Sequence, residues 1–251
     1  MDSSGKDEPL LQPRQPSRRS ATLGCSYCIF LVQYAVQFMI SPFFPTSPAG
    51  RAIGIRLVGA VFAAYPLATV IATPFVPCVL RALGMRRAIP AGLCVTALGS
   101  LLFGVLPSLV SSPLPLSIGL LGFRCLGGLG AAVSETGCLT IISTGEAMEE
   151  EEGRLGVALS SVEVCTGVGA AMGTALGGIL FRLGGATPFG DFLFPFVVGA
   201  ALPLLLVPLC WYALRGRQPP QLAQSASAAA AGCGGGGGAR RSPLFQRREI
   251  L

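Results

Sequence analysis

Six apolar runs fill most of residues 24–213, at about 24–44, 57–79, 88–110, 116–142, 154–181 and 191–213. A bilayer crossing needs about 20 such residues in helical form. Within hydrocarbon each backbone N–H and C=O must find its partner inside the protein, which leaves helices for runs of this kind. The pattern therefore predicts an all-α membrane protein with six transmembrane helices. Composition agrees: 51% of residues are hydrophobic, 12% are charged and histidine is absent. Residues 1–22 have the polar, basic character of a disordered tail. Residues 23–214 form the expected transmembrane domain. Residues 215–251, with Ala228–Ala231 and Gly234–Gly238, read as a low-complexity tail. No apolar block follows residue 214, so six spans are expected and no more.

The net charge of +6 is explained by where the basic residues fall. Lys6, Arg14, Arg18 and Arg19 precede the first span. Arg81, Arg86 and Arg87 lie between spans two and three, Arg154 between four and five. Arg215, Arg217, Arg240, Arg241, Arg247 and Arg248 follow span six. The opposite side holds Arg51, Arg56 and Arg182. Basic residues mark cytosolic loops, so both termini are expected in the cytosol. The charge then reflects topology and anionic lipid, and nucleic acid is not expected as a partner. The acidic loop 145–153 does not alter this assignment, because acidic residues count little for topology. The segment Asp7-Glu8-Pro9-Leu10-Leu11 resembles an acidic dileucine sorting signal, with Lys6 standing where an acid is usual. No signal peptide is evident at the amino terminus.

Polar residues inside the spans carry the functional argument. A charge near the bilayer centre costs at least ~2.5–3.5 kcal/mol, so it is expected to face a bundle interior or a water-filled path. Glu163 interrupts span five. Gly169, Gly173, Gly177 and Gly178 follow it as a ladder that allows close helix packing. Thr174 lies on the Glu163 stripe, while Gly173 sits ~80° round the helix. In span four, Glu135 returns to within ~20° of Arg124 but ~16 Å along the axis. These two cannot pair directly, and each needs water, another helix or substrate. A structural ion pair with another helix and a charge relay facing a cavity both fit. In span one, Gln33 and Gln37 share a face one turn apart. They either hold the bundle together or line a polar cavity. Span two contains Tyr65-Pro66 and Thr73-Pro74, which imply kinks. Ser41-Pro42-Phe43-Phe44-Pro45 ends span one. The short loop 81–87 joins spans two and three as a hairpin.

Most of the nine cysteines lie in spans, where cysteine acts as a small hydrophobe. Cys25 and Cys28 form a CxxC without the second pair that a zinc site requires. No nucleophile–base pair, metal cluster or phosphate-binding loop is present, so neither an enzyme nor a cofactor or metal is expected.

Arg124-xxx-Gly128-x-Gly130 resembles the fourth-span pattern RxxxGxG of the major facilitator superfamily. Gly169-xxx-Gly173-Thr174-xx-Gly177-Gly178 is similar to its fifth-span antiporter pattern, GxxxGPxxGG, with Thr174 where proline is usual. Ser41-Pro42-Phe43-Phe44-Pro45, Leu83-Gly84-Met85-Arg86-Arg87 and Ser161-Val162-Glu163-Val164-Cys165-Thr166-Gly167 look like the vesicular amine and polyamine transporter branch. The resemblance covers about residues 24–214. The signature between spans two and three departs from the family's GxLaDRxGRR at Pro77, Arg81 and Met85. The family has twelve spans in two halves with substrate held between them, and this sequence corresponds to the amino-terminal half.

The resemblance implies a secondary transporter, with proton-coupled antiport of monoamines or polyamines as the expected activity. Glu163 and Arg124 are the expected coupling residues. Gln33, Gln37 and Glu135 are expected to line the cavity, and Gly128, Gly130, Gly169, Gly173, Gly177 and Gly178 to pack helices. Proton and organic cation would compete for a carboxylate whose burial disfavours ionisation. The missing half would come from a second copy or a full-length relative, in a vesicular, vacuolar or plasma membrane. A non-transporting regulatory half and a facilitator of drugs or sugars are the alternatives.

Overall fold

The computed structural model of the chain describes residues 16–110, 112–146, 152–188 and 190–214. Its eight α-helices are α1 (Pro16–Phe38), α2 (Pro48–Ile53), α3 (Ile55–Ala72), α4 (Val76–Leu83), α5 (Met85–Leu109), α6 (Pro113–Glu146), α7 (Glu152–Gly184) and α8 (Gly190–Ala213). Six stretches are long and apolar enough to cross a membrane: Ala21–Phe38, Ile55–Leu83, Met85–Leu109, Pro113–Ser143, Leu155–Gly184 and Gly190–Ala213. No strand occurs among the described residues. The expected all-α architecture with six transmembrane helices is therefore present. Helix α1 starts inside the stretch whose composition reads as a tail. Residues 1–15, the sorting-signal resemblance among them, the run 147–151 and the basic carboxy-terminal stretch lie outside the described residues.

Proline and glycine set the boundaries. Pro42 has no N–H to continue α1, and the Ser41 N–H turns to the Phe38 carbonyl at 3.0 Å. Ser47 starts α2 as its N-cap. Its Oγ accepts from the Gly50 N–H (3.1 Å) and donates to the Phe44 carbonyl (2.7 Å). Pro66 is carried inside α3, whereas Pro74 sits in a 3₁₀ turn, Thr73–Phe75, that joins α3 to α4. The expected loop 81–87 is reduced to one residue. Gly84, at φ +74°, separates Leu83 from Met85. Glycine adopts positive φ without a Cβ clash, so a longer connection is unnecessary. Arg86 and Arg87 consequently lie in the first turn of α5.

Close backbone approach organises the bundle. Helix α5 packs on α6 and α8, α3 on α6, and α1 on α7. A Cβ on Gly92 of α5 would lie 2.6 Å from the Gly130 carbonyl oxygen, and one on Gly130 2.6 Å from that of Gly92. Gly128 faces the Tyr65 carbonyl of α3, and Thr69 Oγ1 donates to the Gly128 carbonyl at 3.1 Å. On α7, Gly169, Gly173 and Gly177 face the carbonyl oxygens of Leu31, Ala35 and Met39 on α1. Two four-residue repeats thus run in register along one seam. Gly178 differs, because a Cβ there meets only Pro42 at 3.9 Å, an ordinary contact.

The two ends of the bundle differ. Where α1 hands over to α2, Phe43, Phe44, Phe103, Phe192 and Phe196 form an aromatic cluster. Phe43 stacks on Phe181 at 4.9 Å between ring centres, and Phe103 meets Phe196 at 5.0 Å. At the other end, the Arg86 guanidinium lies 4.6 Å from the Trp211 ring centre.

Candidate functional site: a charged junction between four helices

Arg124 projects from α6 and is only 6% exposed. Its Nη2 donates to the Gln37 main-chain carbonyl at 3.1 Å. That carbonyl belongs to the last turn of α1, whose oxygens lack intrahelical donors. Pro42 is the ultimate cause, since it ends the helix and diverts the Ser41 N–H. A cation at the negative end of a helix dipole is favourable. The guanidinium carbon also lies 5.0 Å from the Tyr65 ring centre and 5.9 Å from that of Phe103. Aromatic faces attract a desolvated cation. Its Nε remains buried without a hydrogen-bond partner. No salt bridge to Arg124 is found among the described residues; its hold is a carbonyl and two rings.

Gln33 is fully buried. Its Nε2 donates to Ser134 Oγ (2.7 Å) and to Thr96 Oγ1 (3.2 Å). Those hydroxyls in turn donate within their own helices, Thr96 to Gly92 O at 3.1 Å and Ser134 to Gly130 O at 3.1 Å. One amide therefore ties α1, α5 and α6 together. Gln33 Oε1 and the Tyr65 hydroxyl are buried without hydrogen-bond partners. An unsatisfied buried group of this kind costs roughly 1–3 kcal/mol. Gln37 is half-buried and serves Arg124 through its main chain.

Next to these residues sit the acids. Glu135 follows Ser134 on α6 and is half-buried. Glu163 on α7 is exposed on the outside of the six-span unit, as is Thr174 on the same stripe. Tyr34, adjacent to Gln33, lies within electrostatic reach of both Glu135 and Glu163. Tyr65 lies within reach of Glu135, Arg124 and Tyr34. An open groove of about 590 Å³ runs along α7 beside Glu163, lined by Gly156, Val157, Ser160, Ser161, Val164 and Cys165. Chemically, the junction offers one caged cation, a half-buried acid on α6, an exposed acid on α7, and the buried hydroxyls of Thr96 and Ser134. Among the described residues no cluster of three or more His, Cys, Asp or Glu could hold a metal ion.

The sequence pointed to Arg124, Gln33, Gln37, Glu135 and Glu163. It did not point to Tyr34, Tyr65, Thr96, Ser134 or Phe103. Tyr65 had a signal, an aromatic followed by proline in mid-span. Thr96 and Ser134 are ordinary in apolar runs and gave none.

Buried arginine beside a glycine crossing on span four, and a glycine seam on span five, are the features carried by the family resemblance. The model of the Major Facilitator Superfamily matches residues 26–251. The chain belongs to the Major Facilitator Superfamily. With six apolar helices in this family, it is a multi-pass integral membrane protein. It is 26% identical to the MFS-type transporter SLC18B1 of Mus musculus over 225 residues, covering 84% of this chain and 45% of that protein. The proteins of the same name from Homo sapiens and Rattus norvegicus are each 26% identical over 198 and 193 residues. These alignments cover 79% and 77% of this chain, and 39% and 38% of theirs. The chain thus spans less than half the length of the curated relatives it matches.

Proposed function

We propose that this six-span unit is the amino-terminal half of a proton-coupled antiporter for organic cations of the monoamine or polyamine class. The observation that supports the reading is a buried arginine, held by a carbonyl and two rings with no salt bridge among the described residues, in the same six-span unit as two acids within spans, Glu135 and Glu163. An ammonium group could exchange for a proton at these acids, with the Tyr34 ring as a further cation-attracting surface. Glu163 takes the coupling role because its exposed side faces where a second half would stand. Arg124, the buried cation of the same unit, is the second coupling residue. Gln37 and Glu135 border the cavity, while Gln33 holds its wall. The opposing half comes from a second copy or a full-length relative. The distribution of basic residues supports cytosolic termini, with the unit in a vesicular, vacuolar or plasma membrane.

The test is uptake of a labelled monoamine or polyamine into liposomes containing the chain, with and without a proton gradient. Glu163→Gln keeps the volume and removes the titrating group. Gradient-driven uptake is expected to fall at least tenfold, and binding to lose its pH dependence, with folded yield unchanged. Unchanged gradient-driven uptake in a well-folded Glu163→Gln protein overturns the coupling role. Crosslinking in native membranes should give a species of twice the mass or a complex with a longer relative. Monomer alone overturns the proposed assembly.

A further inference from the structure

Cys25 on α1 and Cys210 on α8 are both buried. Their sulfurs lie 3.4 Å apart, in a thiol–thiol hydrogen bond in which either can be the donor. Close by, Thr22 Oγ1 donates to the Ala213 carbonyl at 3.3 Å, so the start of span one and the end of span six are already joined there. Beside the two thiols lies a small void, bordered by Thr22, Ser26, Ile29, Cys138 and Leu214. The space open to the centre of a water-sized molecule is only about 10 Å³. That is the room one water needs.

We propose that Cys25 and Cys210 are an oxidative modification site, a dithiol that hydrogen peroxide converts to a disulfide joining the first and last spans. A disulfide needs its sulfurs about 2.05 Å apart, so these must approach by about 1.4 Å. Rotation of the two side chains, with Cys210 in the last turn of α8, can supply that shift. Buried thiols are usually inert because oxidants do not reach them; Cys25 keeps 6% exposure, and the void beside it gives an oxidant a starting point. Cys25 is the more exposed of the two and reacts first. Its thiolate attacks one peroxide oxygen, the O–O bond breaks, and the departing hydroxide takes up a proton as water. The resulting sulfenic acid is attacked by Cys210 sulfur. The S–S bond forms, the S–O bond breaks, and a second water leaves. Two thiols lose two electrons and peroxide gains them.

The experiment uses the full chain in membranes. After peroxide treatment, free thiols are alkylated, and the unreduced protein is digested and read by mass spectrometry. A peptide pair linking Cys25 to Cys210 is expected, with alkylation at Cys25 falling at least tenfold and returning after dithiothreitol. Exposed Cys78 and Cys94 report background oxidation. Oxidised glutathione, too large for the void, should form the link at least tenfold more slowly than peroxide. Cys138→Ser should leave the link intact. Cys210→Ser should abolish it and leave a Cys25 sulfenic acid that dimedone traps when the protein is unfolded in its presence. Full alkylation of both cysteines after peroxide overturns the proposal, as does a Cys25–Cys138 link. Equal rates with oxidised glutathione overturn the role of the void. The wild-type reading stands whether or not the variants fold.

Discussion

Helices α6 and α7 each carry glycines and an acid in an apolar run, yet they sit differently in the bundle. About 50% of the most apolar stretch of the α6 span is buried, against 17% for the α7 span. Helix α6 has neighbours on several sides: α5 through Gly130, α3 through Gly128 and α1 through Arg124. Helix α7 presses a single glycine edge against α1 and leaves Glu163 outside. A charge in an apolar run therefore says that something must solvate or neutralise it. It does not say whether the solution lies inside the same unit. For Arg124 the solution is internal, a helix-end carbonyl and two rings. Glu163 is left exposed on the outside of the six spans.

The glycine seam offers the largest test of this contrast. Gly173→Leu drives a side chain into the Ala35 carbonyl, and overpacking of this sort costs ~1–3 kcal/mol or more. We expect folded yield in membranes to collapse. Gly178→Leu, five residues along the same helix but ~140° round it, has only Pro42 to meet and should retain normal yield. Equal losses at both positions would break the one-edge description of α7. Next in size is Arg124→Gln, which takes away the donor to Gln37 O and the cation between two rings. Loss of a buried partner predicts a destabilisation of about 1–3 kcal/mol, read by thermal unfolding in detergent. A variant as stable as the parent would mean that Arg124 is held elsewhere.

Gln33→Leu should do less. Thr96 and Ser134 keep their own-helix acceptors, and an unpartnered oxygen is removed. A change within about 1 kcal/mol is expected, since an apolar replacement of similar shape is often nearly neutral. The smallest stability effect belongs to Glu163→Gln, within about 0.5 kcal/mol as for other exposed sites. A loss as large as that of Arg124→Gln would place Glu163 inside the fold and erase the difference between the two helices.

Much of this was legible in the residues. The six runs translate directly into six spans, because backbone hydrogen bonding in hydrocarbon leaves few alternatives. The ladder of Gly169, Gly173 and Gly177 was readable as a packing edge, since a four-residue repeat places small residues on one stripe. Its partner was not, because the receiving surface on α1 is main chain and any sequence has carbonyls. The role of Gln37 was hidden for the same reason. Its side chain drew attention, while its backbone oxygen does the binding. The single-residue break at Gly84 was obscured by arginines that suggested a longer loop. In the sequence Cys25 reads as half of a CxxC and Cys210 as a small hydrophobe; 185 residues separate them, and only the packing of α1 against α8 brings them together.

The seam between α1 and α7 is made of backbone, and backbone has no rotamers with which to yield. Spans one and five are therefore locked at three points, each one turn from the next. Tyr34 and Glu163 belong to these two helices and share their rigid frame, whereas Glu135 belongs to α6, outside it.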